Sequence, residues 1–244
     1  ELSQKYGFKI IEDASHAIGG KYLGKPIGGC EYSDITVFSF HPVKIITTAE
    51  GGVAVTNEIA LVEKMNLFRS HGITRNPELM AQNDGGWYYQ QIDLGYNYRM
   101  TELQAALGLS QLGRLNLFVS QRNSLAQSYD EQLKTLPVIT PFRHPNSLSS
   151  LHLYVIRLNL EIISISHQEV FEGLRLRGIG VNLHYIPIHT HPFYQNMGFK
   201  SGDFPHAELY YQEAISLPMF PALSDLQQRK VVMTLEDLIN GRRD

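Results

Sequence analysis

Cysteine is almost missing from this chain. Cys30 is the only one in 244 residues. That excludes an internal disulfide framework and a zinc site built on thiolates, and it fits a reducing, cytoplasmic setting. A basic block is missing too. The 21 Lys and Arg stand against 24 Asp and Glu, for a formal net charge of -3, so nucleic acid is not an expected partner. No apolar run reaches the roughly 20 residues that a membrane-spanning helix needs. No signal peptide is legible either, and the expectation is no membrane partner. Residues 19 to 29 are rich in glycine but lack GxGxxG spacing and a following helix signal. They read as a hairpin or surface loop, not a phosphate cradle. Internal repeats and low-complexity tracts are absent. So is a starting methionine. The chain opens at Glu1, and residues 2 to 7 read as the end of a helix stopped by Gly7, with a buried strand directly after. The middle of an α/β unit reads this way, so the expectation is a fragment whose N-terminal part is missing.

What is present is ordinary globular material, 43% hydrophobic and 18% charged, enough for one or two cores. Residues 8 to 13 read as a strand ending in carboxylates. In open α/β sheets ligands bind outside the carboxyl ends of strands, which places Asp13 and His16 where a site would be. Asp13 as a helix or turn cap is the structural alternative. Residues 35 to 40 read as a second strand with Phe38 and Phe40 in the core, and residues 52 to 56 as a third. Asn57 is expected to cap a helix running to about Ser70, with Leu61, Met65 and Phe68 at helical spacing. The polar stretch 71 to 92 is a long loop of the kind that is usually functional or mobile.

Thr101 and Gln104 form a capping box. They open a long helical pattern reaching Leu136, which reads as a bridge between two domains, 1–120 and 121–244. After Pro137 a strand is expected over residues 151 to 160. A second capping box, Ser166 with Glu169, starts a helix that Gly178 and Gly180 end. Residues 181 to 186 read as another strand. Ser224 and Gln227 start the last helix, with Val231, Leu235 and Leu238 on one face. His189 and His191 are spaced like metal ligands, but no further ligand cluster accompanies them. They read as loop histidines, and no metal is expected.

The organising stretch is Val37-Phe38-Ser39-Phe40-His41-Pro42-Val43-Lys44, closed by Ala49-Glu50-Gly51-Gly52. It is a strand that turns at Pro42 and delivers Lys44 into a Thr/Gly-rich loop. Lys44 is either a solvated loop lysine or an amine near a polar pocket that can form a Schiff base. Asp13, Ser39 and Lys44 together supply the functions that pyridoxal phosphate needs. A lysine carries the aldehyde, a carboxylate keeps the pyridine nitrogen protonated, and a hydroxyl receives the phosphate. All three residue types are common, so the triplet alone does not decide.

The local words do. Glu12-Asp13-Ala14-Ser15-His16, the stretch 37–44, Thr47-Thr48-Ala49-Glu50-Gly51-Gly52 and Gly95-Tyr96-Asn97-Tyr98-Arg99-Met100 resemble the DegT/DnrJ/StrS family of pyridoxal-phosphate sugar aminotransferases. The resemblance runs from Asp13 to Ser216-Leu217-Pro218. It is closest to the branch that aminates C4 of UDP-linked 4-keto-6-deoxy-N-acetylhexosamines on the route to pseudaminic acid. It implies an α/β fold of the aspartate aminotransferase-like type I. Part of the large domain, with a mainly parallel sheet, would be followed by a smaller C-terminal α+β domain.

By the same resemblance Lys44 is the cofactor-bound lysine and the proton shuttle, and Asp13 pairs with the pyridinium. Ala14 packs on the ring, His16 contacts the phenolic oxygen and Ser39 binds the phosphate. Asn97 reaches the phosphate of the partner subunit in a homodimer. His184 and Tyr185 lie near the sugar nucleotide. The reaction implied is ping-pong, with glutamate as amino donor. Family members also carry an N-terminal phosphate turn and a ring-stacking aromatic. Without an equivalent upstream of Asp13, the 244-residue chain alone is expected to bind the cofactor weakly or not at all. Two other readings are a non-catalytic sugar-nucleotide-binding or assembly module, and C3 dehydration. The dehydrating relatives replace the lysine with histidine.

Overall fold

The computed structural model describes residues 1–241. The chain divides into two compact units. One comprises Glu1–Asn116 with Asn146–Ser150, the other Leu117–Pro145 with Leu151–Asp244. In chain order the elements begin with helix α1 (Leu2–Tyr6), strands β1 (Ile11–Asp13), β2 (Lys21–Tyr22), β3 (Lys25–Pro26), β4 (Ile35–Ser39) and β5 (Gly52–Val55), and helix α2 (Ile59–Phe68). Strands β6 (Ile73–Thr74) and β7 (Gln90–Gln91) precede helices α3 (Glu102–Leu112) and α4 (Leu115–Leu133). Strands β8 (Val138–Ile139), β9 (Ser147–Leu148) and β10 (Tyr154–Leu158) lead to helix α5 (His167–Leu176). A 3-10 turn (Ile188–Thr190), helices α6 (Pro192–Gln195) and α7 (Pro205–Glu213), strand β11 (Ala214–Leu217) and helix α8 (Asp225–Ile239) complete the chain.

In the first unit α1 ends at Gly7, whose φ of 71° gives the left-handed stop that glycine adopts without steric cost. The sheet has the order β1-β4-β5. It is mixed: β4 runs parallel to β1 and antiparallel to β5. The second pairing follows from the link between β4 and β5, a loop without the helix that a parallel crossover needs. Along β4 burial alternates, with Thr36 and Phe38 inside. Phe40, just past the strand, is half-buried, so of the two phenylalanines expected in the core only Phe38 is fully enclosed. Residues 19–29 form the hairpin β2–β3, and β9 adds a third strand to it.

Two local expectations are corrected here. Asn57 does not cap α2. Its side-chain amide donates to the Gly29 carbonyl at 2.9 Å, and the helix starts behind Glu58, which makes no side-chain cap bond. A tertiary acceptor has taken the group that the local pattern reserved for the helix. The long bridging helix is also two helices. The capping box of Thr101 and Gln104 forms as expected. At Gly113 and Arg114 the ladder tightens, with Arg114 N–H donating to the Gln111 carbonyl at 2.9 Å, and α4 starts afresh at Leu115. An i→i−3 bond beside glycine, the weakest ordinary helix former, ends the first segment.

The second unit is built on the antiparallel sheet β11-β10-β8. Strand β11 is buried at every position, and α4, α5 and α8 supply most of the remaining core. Val170 and Leu174 of α5 and Leu235 of α8 are fully enclosed. Gly173 lets these two helices approach, since a Cβ there would lie 2.6 Å from a Leu238 methyl. Tyr129 and Tyr154 stack at 4.8 Å. Their hydroxyls donate to the Pro218 carbonyl and the Asp130 carboxylate, the compensation a buried hydroxyl requires. The capping boxes of Ser166 and Ser224 both form. The strand expected over residues 181 to 186 is reduced to one bridge, Asn182 with Ser216. Asn182 Oδ1 then accepts from Leu183 N–H at 2.9 Å, and this local bond turns the chain off the sheet.

Candidate active site

Parallel pairing of β1 and β4 brings their carboxyl ends side by side. Asp13 stands in register with Val37, and Ala14 N–H donates to the Val37 carbonyl at 2.9 Å. Asp13 and Ser39 therefore share one edge of the sheet. The Asp13 carboxylate accepts from Ser15 N–H at 3.0 Å and Ser15 Oγ at 2.5 Å. These two bonds, helped by His16 and Lys44, draw its pKa below the usual carboxylate value. Hydrogen bonds to the charged form favour that form. Ala14 is buried at 3% exposure, and His16 is exposed at the mouth of the turn.

The loop after β4 is pinned at its base. Thr48 N–H and Thr47 Oγ both donate to the Phe40 carbonyl, at 3.0 and 2.9 Å. Phe40 N–H donates to the Gly51 carbonyl at 2.8 Å. Gln111 of α3 accepts from Thr47 N–H, and Gln104 donates to the Glu50 carbonyl. Ile45 and Ile46 are buried and anchor the crown that carries Lys44. Lys44 itself is half-buried. Burial pulls its pKa below that of an ordinary lysine, while the Asp13 carboxylate pushes the other way. The charge acting on it here is anionic, and desolvation does the lowering.

Ser39 Oγ accepts a long 3.4 Å bond from His41 N–H, and its own hydrogen is left to donate. Asn97 sits in the Gly95–Met100 word, which is stitched to the end of α2. Tyr96 N–H donates to the Phe68 carbonyl, Tyr98 N–H to the Arg69 carbonyl, and Asn97 bridges Ser70. Asn97 is exposed, and its Oδ1 accepts from Arg99 Nε at 3.0 Å. Gly72 and Gly95 make the crossing possible. A Cβ on Gly72 would fall 1.9 Å from the Asp93 carbonyl oxygen.

Asp13, Ala14, His16, Ser39, Lys44 and Asn97 thus all lie in the first unit. His184 and Tyr185 lie in the second. There His184 Nδ1 is 2.7 Å from Ser216 Oγ, and Tyr185 packs edge-on against the His184 ring. His189 is buried against Glu208 at 2.7 Å, and among the described residues no cluster could hold a metal ion. The Thr47, Thr48 and Gln111 pins were not foreseen. The Thr-Thr pair was a visible signal, whereas Gln111 had none.

The chain matches the DegT/DnrJ/EryC1/StrS aminotransferase family over residues 1–236. It belongs to that family. Among relatives it is 38% identical to the UDP-4-amino-4,6-dideoxy-N-acetyl-beta-L-altrosamine transaminase of Helicobacter pylori, over 89% of this chain and 55% of that protein. Among solved structures it resembles Helicobacter pylori PseC, an aminotransferase involved in the biosynthesis of pseudoaminic acid. The TM-score is 0.87 at 35% identity, over 98% of this chain and 62% of that one. It also resembles the PLP form of a putative sugar aminotransferase of Streptococcus pneumoniae. There the TM-score is 0.86 at 28% identity, over all of this chain and 61% of that one. The fold of this family member is the type I fold of those aminotransferases. The chain spans 55 to 63% of the length of the curated relatives it matches.

Proposed function

We infer that the protein transfers an amino group from an amino acid, glutamate in our reading, to the C4 keto group of a nucleotide-linked 4-keto-6-deoxy sugar, with pyridoxal phosphate as cofactor. The observation that carries this reading is the pair Asp13 and Lys44. One is an acid held ionised at a strand end. The other is a lysine made easier to deprotonate by burial, within electrostatic reach of that acid.

The residues present fit the cofactor. Asp13 would hold the pyridine nitrogen, buried Ala14 would lie against the ring, and His16 would meet the phenolic oxygen. Ser39 Oγ–H would donate to the phosphate, and Asn97 would reach the phosphate of a partner subunit in a homodimer. Pyridoxal phosphate, when bound, supplies the electron sink that a transferred amine requires. Lys44 Nζ would hold the cofactor in the resting enzyme and, as a free amine, would take and return a proton, work that needs the neutral form its burial favours. His184 and Tyr185 are assigned to the sugar nucleotide. Residues 1–120 are read as part of the large cofactor-binding domain and 121–244 as the small domain, in a cytoplasmic enzyme.

Borohydride reduction in a large excess of pyridoxal phosphate, which traps even weak binding, followed by peptide mass mapping, tests the core of this. The expected result is the reduced adduct on Lys44, and a label spread over surface lysines would count against it. The rate of cofactor uptake should rise with pH as the Lys44 amine loses its proton. Asp13 raises that amine's pKa, so Asp13→Asn should move the midpoint of uptake to lower pH. A stopped-flow pH series reads the direction. A screen of UDP-linked 4-keto sugars with glutamate then tests the substrate class.

A further inference from the structure

The turn that aims Asp13 and His16 is held from outside by a residue far away in the chain. Its internal bonds are short-range. Ala17 N–H donates to the Ala14 carbonyl at 2.8 Å, and Gly20 N–H to the Ala17 carbonyl at 2.9 Å. The His16 carbonyl, at the crown, accepts from Ser150 Oγ at 3.2 Å across 134 residues. Ser150 is only 1% exposed. It ends the segment Asn146–Ser150, which belongs with the first unit although the chain on either side belongs to the second.

This strap lies along the hairpin. Leu23 N–H donates to the Asn146 carbonyl at 2.8 Å, Tyr22 pairs with Ser147, and Lys21 pairs with Leu148. The fit beneath it is close, since a Cβ on Gly20 would lie 2.9 Å from the Ala17 carbonyl oxygen and 3.2 Å from that of Leu148. A hydroxyl so deeply enclosed is costly unless it is bonded. Removing it would leave the His16 carbonyl without this donor.

We propose that Ser150 is a positioning residue, acting through the His16 carbonyl to fix the turn that presents Asp13 and His16 to the cofactor ring. The proposal rests on the pyridoxal-phosphate reading above and adds a residue from the chain's second half to that site. Ser150 itself would not touch the cofactor. Its effect is on the aim of the two groups that would. When the strap lets go, Ser15 loosens its hold on the Asp13 carboxylate, and Asp13 behaves more like a free aspartate.

The test compares wild type, Ser150→Ala and Ser150→Cys by three readouts: carbon-detected NMR titration of the Asp13 carboxyl, pyridoxal-phosphate titration by absorbance, and thermal melting. In Ser150→Ala the Asp13 midpoint is expected to move up toward the ordinary carboxylate range. Cofactor affinity should fall about five- to tenfold, the scale of one buried hydrogen bond. Ser150→Cys, similar in shape with a weak donor, should fall between. A Ser150→Ala protein that melts earlier but keeps the wild-type Asp13 midpoint and cofactor affinity overturns the proposal. Should the midpoint move while even wild type, extended by the N-terminal stretch that the relatives carry, takes up no cofactor, the turn-positioning role stands and the functional reading fails.

Discussion

In the second unit Leu133, Tyr154, Ile156, Leu158, Leu174, Ile215 and Leu235 are almost wholly out of water and belong to one continuous cluster. In the first unit Val53, Val62, Leu109 and Leu112 stay exposed. They line an open groove of about 1150 Å³ bounded by β4, β5, α2 and α3. Of the apolar side chains the first unit does bury, Ala14 adjoins Asp13, Ile45 and Ile46 follow Lys44, and the Phe38 ring lies against Gly28. The comparison teaches that the two units spend their packing differently. One encloses a core. The other concentrates its enclosed residues around a small set of polar groups and leaves the remaining faces open.

The largest expected effect would come from Lys44→Ala. Covalent cofactor attachment should vanish and turnover fall by about 10²-fold or more, while the circular dichroism melt of the second unit stays in place. A melt that shifts with the activity would break the separation between the units. Next, Leu174→Ala at 0% exposure should cost about 2–5 kcal/mol. Leu109→Ala at 71% exposure should cost about 0.5 kcal/mol or less. Urea unfolding of the two variants sharpens the contrast, and equal costs would mean that Leu109 is covered in solution. Thr101→Ala and Ser166→Ala each remove a formed capping box and should each cost about 1 kcal/mol. Hydrogen exchange should show the first loss confined to α3 and the second to α5.

The smallest effect appears only in acid. Glu208 accepts from His189, Gly202 N–H and Ser201, and these bonds hold its pKa at about 2. A carboxylate depressed in the folded state contributes stability that is present above its unfolded value and lost as pH falls toward the folded one. The second unit should therefore weaken as pH drops from about 4.5 toward 2. Glu208→Gln should remove that part of the acid transition, read by melting at stepped pH.

The capping boxes at Thr101, Ser166 and Ser224 and the glycine stop at Gly7 were legible because each is settled by residues within a few positions of one another. The order Asp13, Ser39, Lys44 was legible for a related reason. Two parallel strands ending in polar residues place those residues at one edge once the strands pair. Two other features answered to distant partners: Asn57 turned to Gly29, and His189 lies buried against Glu208. Residues 181 to 186 left the sheet through a bond between neighbours, Asn182 and Leu183, that competed with the strand.

By itself, then, the sequence determined which chemical groups this protein carries, where α3, α5 and α8 are capped and which strand ends hold the polar residues. Those choices are fixed by neighbours along the backbone. Tertiary structure alone decided that Asn57 turns to Gly29, that α3 reaches back through Gln111 to pin the lysine loop, and that Ser150 closes on the His16 turn. Such bonds form wherever packing leaves a donor and an acceptor facing each other, and one-dimensional spacing does not encode which pairs those will be.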